Sequence, residues 1–290
     1  MRTPDSSNLT VNPKPRDDEI DVFGVSHRGK VRAENQDHFV MASIHKRVHV
    51  LQTNLTAQER FPLEDERLAY LAIVADGVGG AENGEEASAL ALEVAMHYMA
   101  RSTDCYYRAD GNDESFINAL QDAAMESHKA VIERARVVAD GRPMATTRTL
   151  FMGVWPWYYL LPVGDSRYYL YRVGKLTQVT RDQTIAQELV DQGVFTRAMA
   201  ERSQYSNVLS SALGGEAAVP VITRLKADWN NVHLLCTDGL TKHVSDERIA
   251  ERLANMTTSK EGCDQLLADA LDAGGTDNIS IIIGRFVPKR

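Results

Sequence analysis

The chain has 290 residues, 43% hydrophobic and 25% charged, with 40 acidic against 32 basic side chains and a formal charge of -8. That balance suits a globular protein with a sizeable core and argues against a surface built for nucleic acid. No apolar run approaches the roughly 18 residues that span a bilayer, and Cys105, Cys236 and Cys263 lack metal-ligand spacing, so they read as reduced thiols of a cytoplasmic protein that does not engage membranes.

Residues 1–19 are rich in Pro, Asp, Ser and Asn, lack the apolar core of a signal peptide, and predict a flexible tail before a single domain over 20–290. Residues 20–26 (IDVFGVS) read as the first strand. A polar turn follows through NQD at Asn35 to Asp37, then HFVMASI and RVHVLQ as a strand pair, and 52–67 as a loop insertion. LAYLAIVA, a buried strand, runs into Asp76-Gly77. Residues 85–101 place Ala87, Leu90, Ala91, Val94 and Tyr98 at helical spacing, with Asn83 as the cap. Residues 113–139 predict a second amphipathic helix. From Thr149 the pattern turns to strands: TLFMGV, WYYLLPV, SRYYLYRV and LTQVT. GDSR lies between the second and third of these, and VGK makes the tight turn before the fourth. Residues 184–193 predict a short helix ending at a glycine, and 195–215 a polar segment able to cover a site. VITRL and VHLLCT are strands, the second ending in Asp238-Gly239. Helices over 245–254 and 261–273 precede Thr276-Asp277-Asn278 and a closing strand, NISIIIGRFV. Strands, two helices, strands, helices and a strand make an α+β chain with mainly antiparallel sheets.

The chemistry sits in the aspartates. A single Asp-Gly is ordinarily a turn. Two of them ending buried strands, with NQD and TDN besides, place several carboxylates at sheet edges. Burying such carboxylates together costs too much unless cations or protons neutralise them. Without a His/Cys cluster to favour zinc, the oxygen donors point to Mg2+ or Mn2+. Two such ions about 3.5–4 Å apart activate a bridging water and clamp a phosphoryl group for in-line attack. Arg32, close before Asp37, is the candidate to fork onto phosphate oxygens.

Taken in order, GKVRAENQD, VADGVGG with NGEEAS, MATT, VGDSR, LTQVTRDQT, NVLSSALG, LLCTDGL and GGTDNISIII resemble the PPM family, the type 2C metal-dependent Ser/Thr protein phosphatases, in its bacterial form. The resemblance covers roughly residues 20–287. It implies a four-layer α-β-β-α sandwich of two mainly antiparallel sheets with the site at one end. It implies that Asp76 bridges two metal ions and Gly77 offers its carbonyl oxygen. Asp238 and Asp277 hold the second ion, and Asp37 binds metal directly or through water. Asp165 stands at the position of a third ion, Arg32 at that of the phosphate-binding arginine, and residues 180–214 at that of a mobile flap. The chain departs from the family pattern at Gln36, at His27, at Ala81, in MATT, and at Val78, which replaces a histidine proposed as leaving-group acid. The seryl oxygen must then take its proton from water at the metal, relayed through Asp37.

These readings imply a Mg2+- or Mn2+-dependent hydrolase of phosphoserine and phosphothreonine in proteins, in which a metal-bridging hydroxide attacks directly and no phosphoenzyme forms. Phosphorylated proteins, including a Ser/Thr kinase or its substrates, are the expected partners. Two rivals remain: a phosphoprotein-binding regulatory module with little catalysis, and a phosphatase of small phosphate esters.

Overall fold

The computed structural model describes residues 13–47, 65–78, 82–101, 114–138 and 144–289. In chain order these hold β1 (Ile20–His27), β2 (Asp37–Lys46), β3 (Glu66–Val78), α1 (Glu82–Arg101) and α2 (Glu114–Val138). Then come β4 (Ala145–Thr146), β5 (Arg148–Val154), β6 (Trp157–Val163), β7 (Arg167–Arg172) and β8 (Lys175–Gln178). After α3 (Ile185–Asp191) and α4 (Arg197–Glu201) follow β9 (Thr223–Lys226), β10 (Val232–Cys236), α5 (Asp238–Thr241), α6 (Asp246–Asn255), α7 (Ser259–Asp272) and β11 (Ile279–Phe286).

The strands form two sheets. One runs β1-β11-β10-β7-β8, the other β2-β3-β5-β6-β9 with β4 paired to β3. Each pairing among the described strands is antiparallel. Side chains alternate across a strand, and here the alternation sorts them into layers. On β3, Ala69, Leu71, Ile73 and Ala75 pack with Leu92 and Met99 of α1 and Phe116 and Leu120 of α2. Ala72 and Val74 face the other way, onto Leu235 and Ile282 of the opposite sheet. On that sheet Ile279, Ile281 and Ile283 of β11 pack with Ile249 of α6 and Leu266 of α7. Helices, sheet, sheet, helices: the predicted α-β-β-α sandwich is the structure. The near-continuous apolar run of β3 follows from its burial on both faces.

Local differences from the sequence reading have local causes. α1 begins at Glu82, so Asn83 lies inside the helix and does not cap it. Its first turn is pressed onto the end of β3: a Cβ on Gly77 would meet the Gly84 carbonyl oxygen at 2.2 Å. Glu66 and Arg67, read as the end of a loop, open β3, where they pair with Lys46 and His45 of β2. Residues 52–64 of that loop and most of RVHVLQ lie outside the described residues, as do Cys105, Ala81 and residues 1–12. β6 is an interior strand between β5 and β9. The polar segment over 195–215 carries the short α4.

Among the described residues, no helix is long and apolar enough to cross a membrane. At the end of the sandwich where β1 starts and β11 finishes, an apolar cavity of about 80 Å³ lies between the sheets, lined by Val22, Phe151, Tyr158, His233 and Phe286 among others. It contains none of the candidate carboxylates, which gather at the other end.

Candidate metal centre

Strand parity delivers the first two carboxylates. Asp76 follows Ala72 and Val74 on the inner face of β3, and Asp37 precedes Phe39 and Met41 on the inner face of β2. The β2–β3 register sets Asp37 directly opposite Asp76. Like charges at opposed positions destabilise a sheet unless something positive lies near them. Asp37 is 3% exposed. Its Oδ2 accepts a hydrogen bond from Thr237 Oγ1 at 2.8 Å. Its Oδ1 is buried without a hydrogen-bond partner among the described residues.

The other sheet supplies the next pair. Thr237 follows β10 and leads into α5, whose first residue is Asp238. Asp238 Oδ1 is likewise buried without a partner among the described residues, while Oδ2 lies 2.6 Å from Lys242 Nζ. Asp277 stands just before β11. Its Oδ2 is 2.7 Å from the same Lys242 Nζ and accepts from Arg32 Nη2 at 3.0 Å. Its Oδ1 is 2.8 Å from Arg32 Nε. Asp165, in the turn between β6 and β7, lines a cleft of about 390 Å³ together with Asp182, Arg197, Asn207, Asp238 and Lys242. The cleft is walled by α3 and α4, so part of the 180–214 segment does flank the site.

The loops are braced from within. Asn278 Nδ2 donates to the carbonyl oxygens of Arg28 at 2.9 Å and Glu34 at 2.8 Å, and its Oδ1 accepts from the Gln36 amide at 2.9 Å. One side chain thus ties the Asp277 turn to the turn carrying Arg32 and Asp37. A Cβ on Gly239 would lie 1.9 Å from the Asn278 carbonyl oxygen, which is why Asp238 is followed by glycine. On the other sheet, Thr146 Oγ1 and the Thr147 amide both donate to the Asp76 carbonyl oxygen, at 2.8 and 2.9 Å. MATT therefore supports the backbone of Asp76 rather than touching chemistry. Arg167 of GDSR is held by Asp182, with Nη2 2.7 Å from Oδ2.

The electrostatics divide the site in two. Burial, then the neighbouring aspartates, pushes Asp37 up to about 7 against the opposing hydrogen bonds from Thr237 and Ser280. Asp165 is pushed up to about 7 by burial and by Asp238 and Asp182. Asp76 is raised well above the carboxylate range by burial and by Asp37, Asp238, Asp165 and Asp277. Asp277 goes the other way: burial would raise it, but Lys242 and Arg32 outweigh burial and hold it down. Hence Asp37 and Asp76 form a buried acidic corner with no ion-paired basic side chain among the described residues, while Asp238 and Asp277 share Lys242.

Every sequence-predicted site residue, Arg32, Asp37, Asp76, Gly77, Asp165, Asp238 and Asp277, belongs to this end of the sandwich. They are not yet a closed cage: among the described residues no group of three or more His, Cys, Asp or Glu is drawn together tightly enough to hold an ion. Uncompensated carboxylates repel, and an ammonium stands between two of them. Arg32 is engaged with Asp277 instead of being free for phosphate. The sequence reading missed Thr237, Asn278 and Lys242. Thr237 and Asn278 lie inside the TDG and TDN motifs without a role of their own there, and the spacing of Lys242 four residues after Asp238 hints at one of its partners but not at Asp277. The residues fit hard divalent ions on two counts: the donors are all oxygen, and Asp37 Oδ1 and Asp238 Oδ1 are buried without partners among the described residues.

A sequence model of the protein phosphatase 2C family matches residues 49–272. Serine/threonine protein phosphatase PstP of Mycobacterium tuberculosis is 34% identical over 220 residues, 76% of this chain; the chain spans 41% of that relative's length. Serine/threonine phosphatase stp of Listeria innocua is 30% identical over 214 residues, covering 73% of this chain and 83% of the relative. Among solved structures, the Mycobacterium tuberculosis PstP/Ppp phosphatase superposes with a TM-score of 0.73 at 29% identity, over 93% of this chain and 99% of the other. The PstP catalytic domain in complex with two manganese ions gives 0.71 at 29% identity, over the same shares.

Proposed function

The chain belongs to the protein phosphatase 2C family, and from that membership we propose that it hydrolyses phosphoserine and phosphothreonine in proteins with the help of Mg2+ or Mn2+. The observation that carries the reading is the group of Asp37, Asp76, Asp165, Asp238 and Asp277 at one end of the sheets, with the buried Oδ1 atoms of Asp37 and Asp238 left unpaired among the described residues. Buried carboxylates in that state call for cations.

Asp76 and the Gly77 carbonyl, with Asp37, are the residues that would hold one ion; Asp238 and Asp277, with Asp76, would hold a second, and Asp165 would serve a third. When bound, the ions supply Lewis acidity, activating water for in-line attack and neutralising phosphoryl charge. The chain's own groups do the rest. Arg32, partly exposed at the rim, turns from Asp277 to fork onto the phosphoryl oxygens. The 390 Å³ cleft beside Asp165 admits the peptide that carries the ester. Asp37, buried between the strands with its Oδ2 held by Thr237, would relay a proton from water to the leaving seryl oxygen. Phosphorylated proteins, among them a Ser/Thr kinase or its substrates, are the partners this reading implies. The retention of all five carboxylates speaks against a purely binding module.

The test is hydrolysis of a phosphothreonine peptide with Mn2+ and with excess chelator. Turnover should need the metal and vanish in Asp76→Ala. Equal rates in metal and chelator would refute the metal role.

A further inference from the structure

Lys242 occupies an unusual place. It follows α5 directly, four residues after Asp238, and its amide donates to the Asp238 carbonyl at 2.9 Å, which fixes its stem beside the site. Its Nζ lies 2.6 Å from Asp238 Oδ2 and 2.7 Å from Asp277 Oδ2. These are the two carboxylates assigned to the second ion. A divalent ion bonds such oxygens at about 2.0–2.6 Å, and an ammonium already between them at hydrogen-bond distance cannot share that position. The first position differs: among the described residues, no lysine or arginine is ion-paired with Asp37 or Asp76.

We propose that Lys242 is a tethered counter-cation for the second metal position, so that the two ions bind unequally and the second enters only by displacing this ammonium. The inference rests on the metal reading of the site and adds to it. Lys242 neutralises Asp238 and Asp277 before the second ion arrives, and it competes with that ion afterwards. The competitor is intramolecular, so it is always present and cannot be diluted away. The first ion, at Asp37 and Asp76, meets no such rival. Lys242 thereby sets the metal concentration at which the site is complete.

The experiment is calorimetric titration of Mn2+ into metal-free protein, wild type against Lys242→Met, which keeps the stem and removes the charge, and Lys242→Gln as a second variant. The wild type should show a tight and a weak step. In the variants the weak step should tighten by about tenfold or more, the tight step changing little. Without metal the variants should melt at a lower temperature than the wild type, and with saturating Mn2+ that deficit should close. A weak step of equal affinity in wild type and both variants would overturn the role of Lys242 while leaving the metal reading intact. No manganese uptake by any of the three proteins would overturn the metal reading and this inference together.

Discussion

Asp37 shows at single-residue scale how function opposes stability. Its folded-state affinity for protons is raised, as is that of Asp165, each to about 7. A carboxyl raised in this way favours the folded state at low pH, and that favour is lost as pH climbs from about 4 through 7. His233 pulls in the opposite direction. Buried and held neutral, it is lowered to about 3 by burial, so it costs stability as pH falls below about 6.5. In chelator, Asp37→Asn should therefore be more stable than the parent near pH 7.5 by about 1–3 kcal/mol, with the gain shrinking toward pH 4. Urea denaturation across that range measures it, and the same variant should lose phosphatase activity. Legibility at this scale was uneven. Asp76 and Asp238 announce themselves because each ends a buried apolar run before a glycine. Lys242 does not: its meaning depends on Asp277, which reaches it from 35 residues further along the chain. The exact opposition of Asp37 and Asp76 was equally hidden, because register is set by pairing across the sheet.

Among the elements, the turns decide more than the strands do. Strands and helices were largely readable from their periodicity, and α3 and α7 even carry visible threonine caps, Thr184 and Thr258. Which face of β3 looks inward was not readable, because both faces are apolar. Turn-to-turn bracing was not readable either. Asn278 looks like a loop asparagine, yet its three hydrogen bonds hold the turn that bears Arg32 and Asp37. Asn278→Ala leaves two carbonyl oxygens and an amide without that partner, and should cost about 2 kcal/mol. It should also weaken phosphopeptide binding more than it slows saturated turnover, since the turn it frees carries Arg32, the residue proposed to bind phosphate. Steady-state kinetics at saturating Mn2+ tests this; a change confined to turnover would contradict the bracing role.

Viewed as a molecule, the protein is two half-sandwiches. Each sheet is packed against its own helices through a broad cluster, while among the described residues the sheets meet through Ala72, Val74, Leu160, Tyr168, Leu235 and Ile282, flanked by half-buried side chains such as Phe39 and Phe151. The acidic residues come from both halves: Asp37 and Asp76 from one, Asp238 and Asp277 from the other, and Asp165 from the turn that joins them. A ligand bound by the folded state alone stabilises it by about 2.7 kcal/mol at a hundred times its dissociation constant. For a chain of this size, Mn2+ at that level should raise the melting temperature by roughly 5–10 °C, reversibly with chelator. A scan showing no shift would mean that the seam is not where the ion binds. The α+β class was legible in the order of elements and the four-layer sandwich in the family resemblance; the make-up of the central layer was not, because it depends on which alternating side chains meet.

The seam also bears on the life of the protein inside a cell. If the same ions that drive turnover also rivet the two halves, mineral starvation loosens the molecule as well as silencing it, and a loosened molecule is what proteases destroy. Nutrient supply would then govern how many copies survive and not merely how fast each one works.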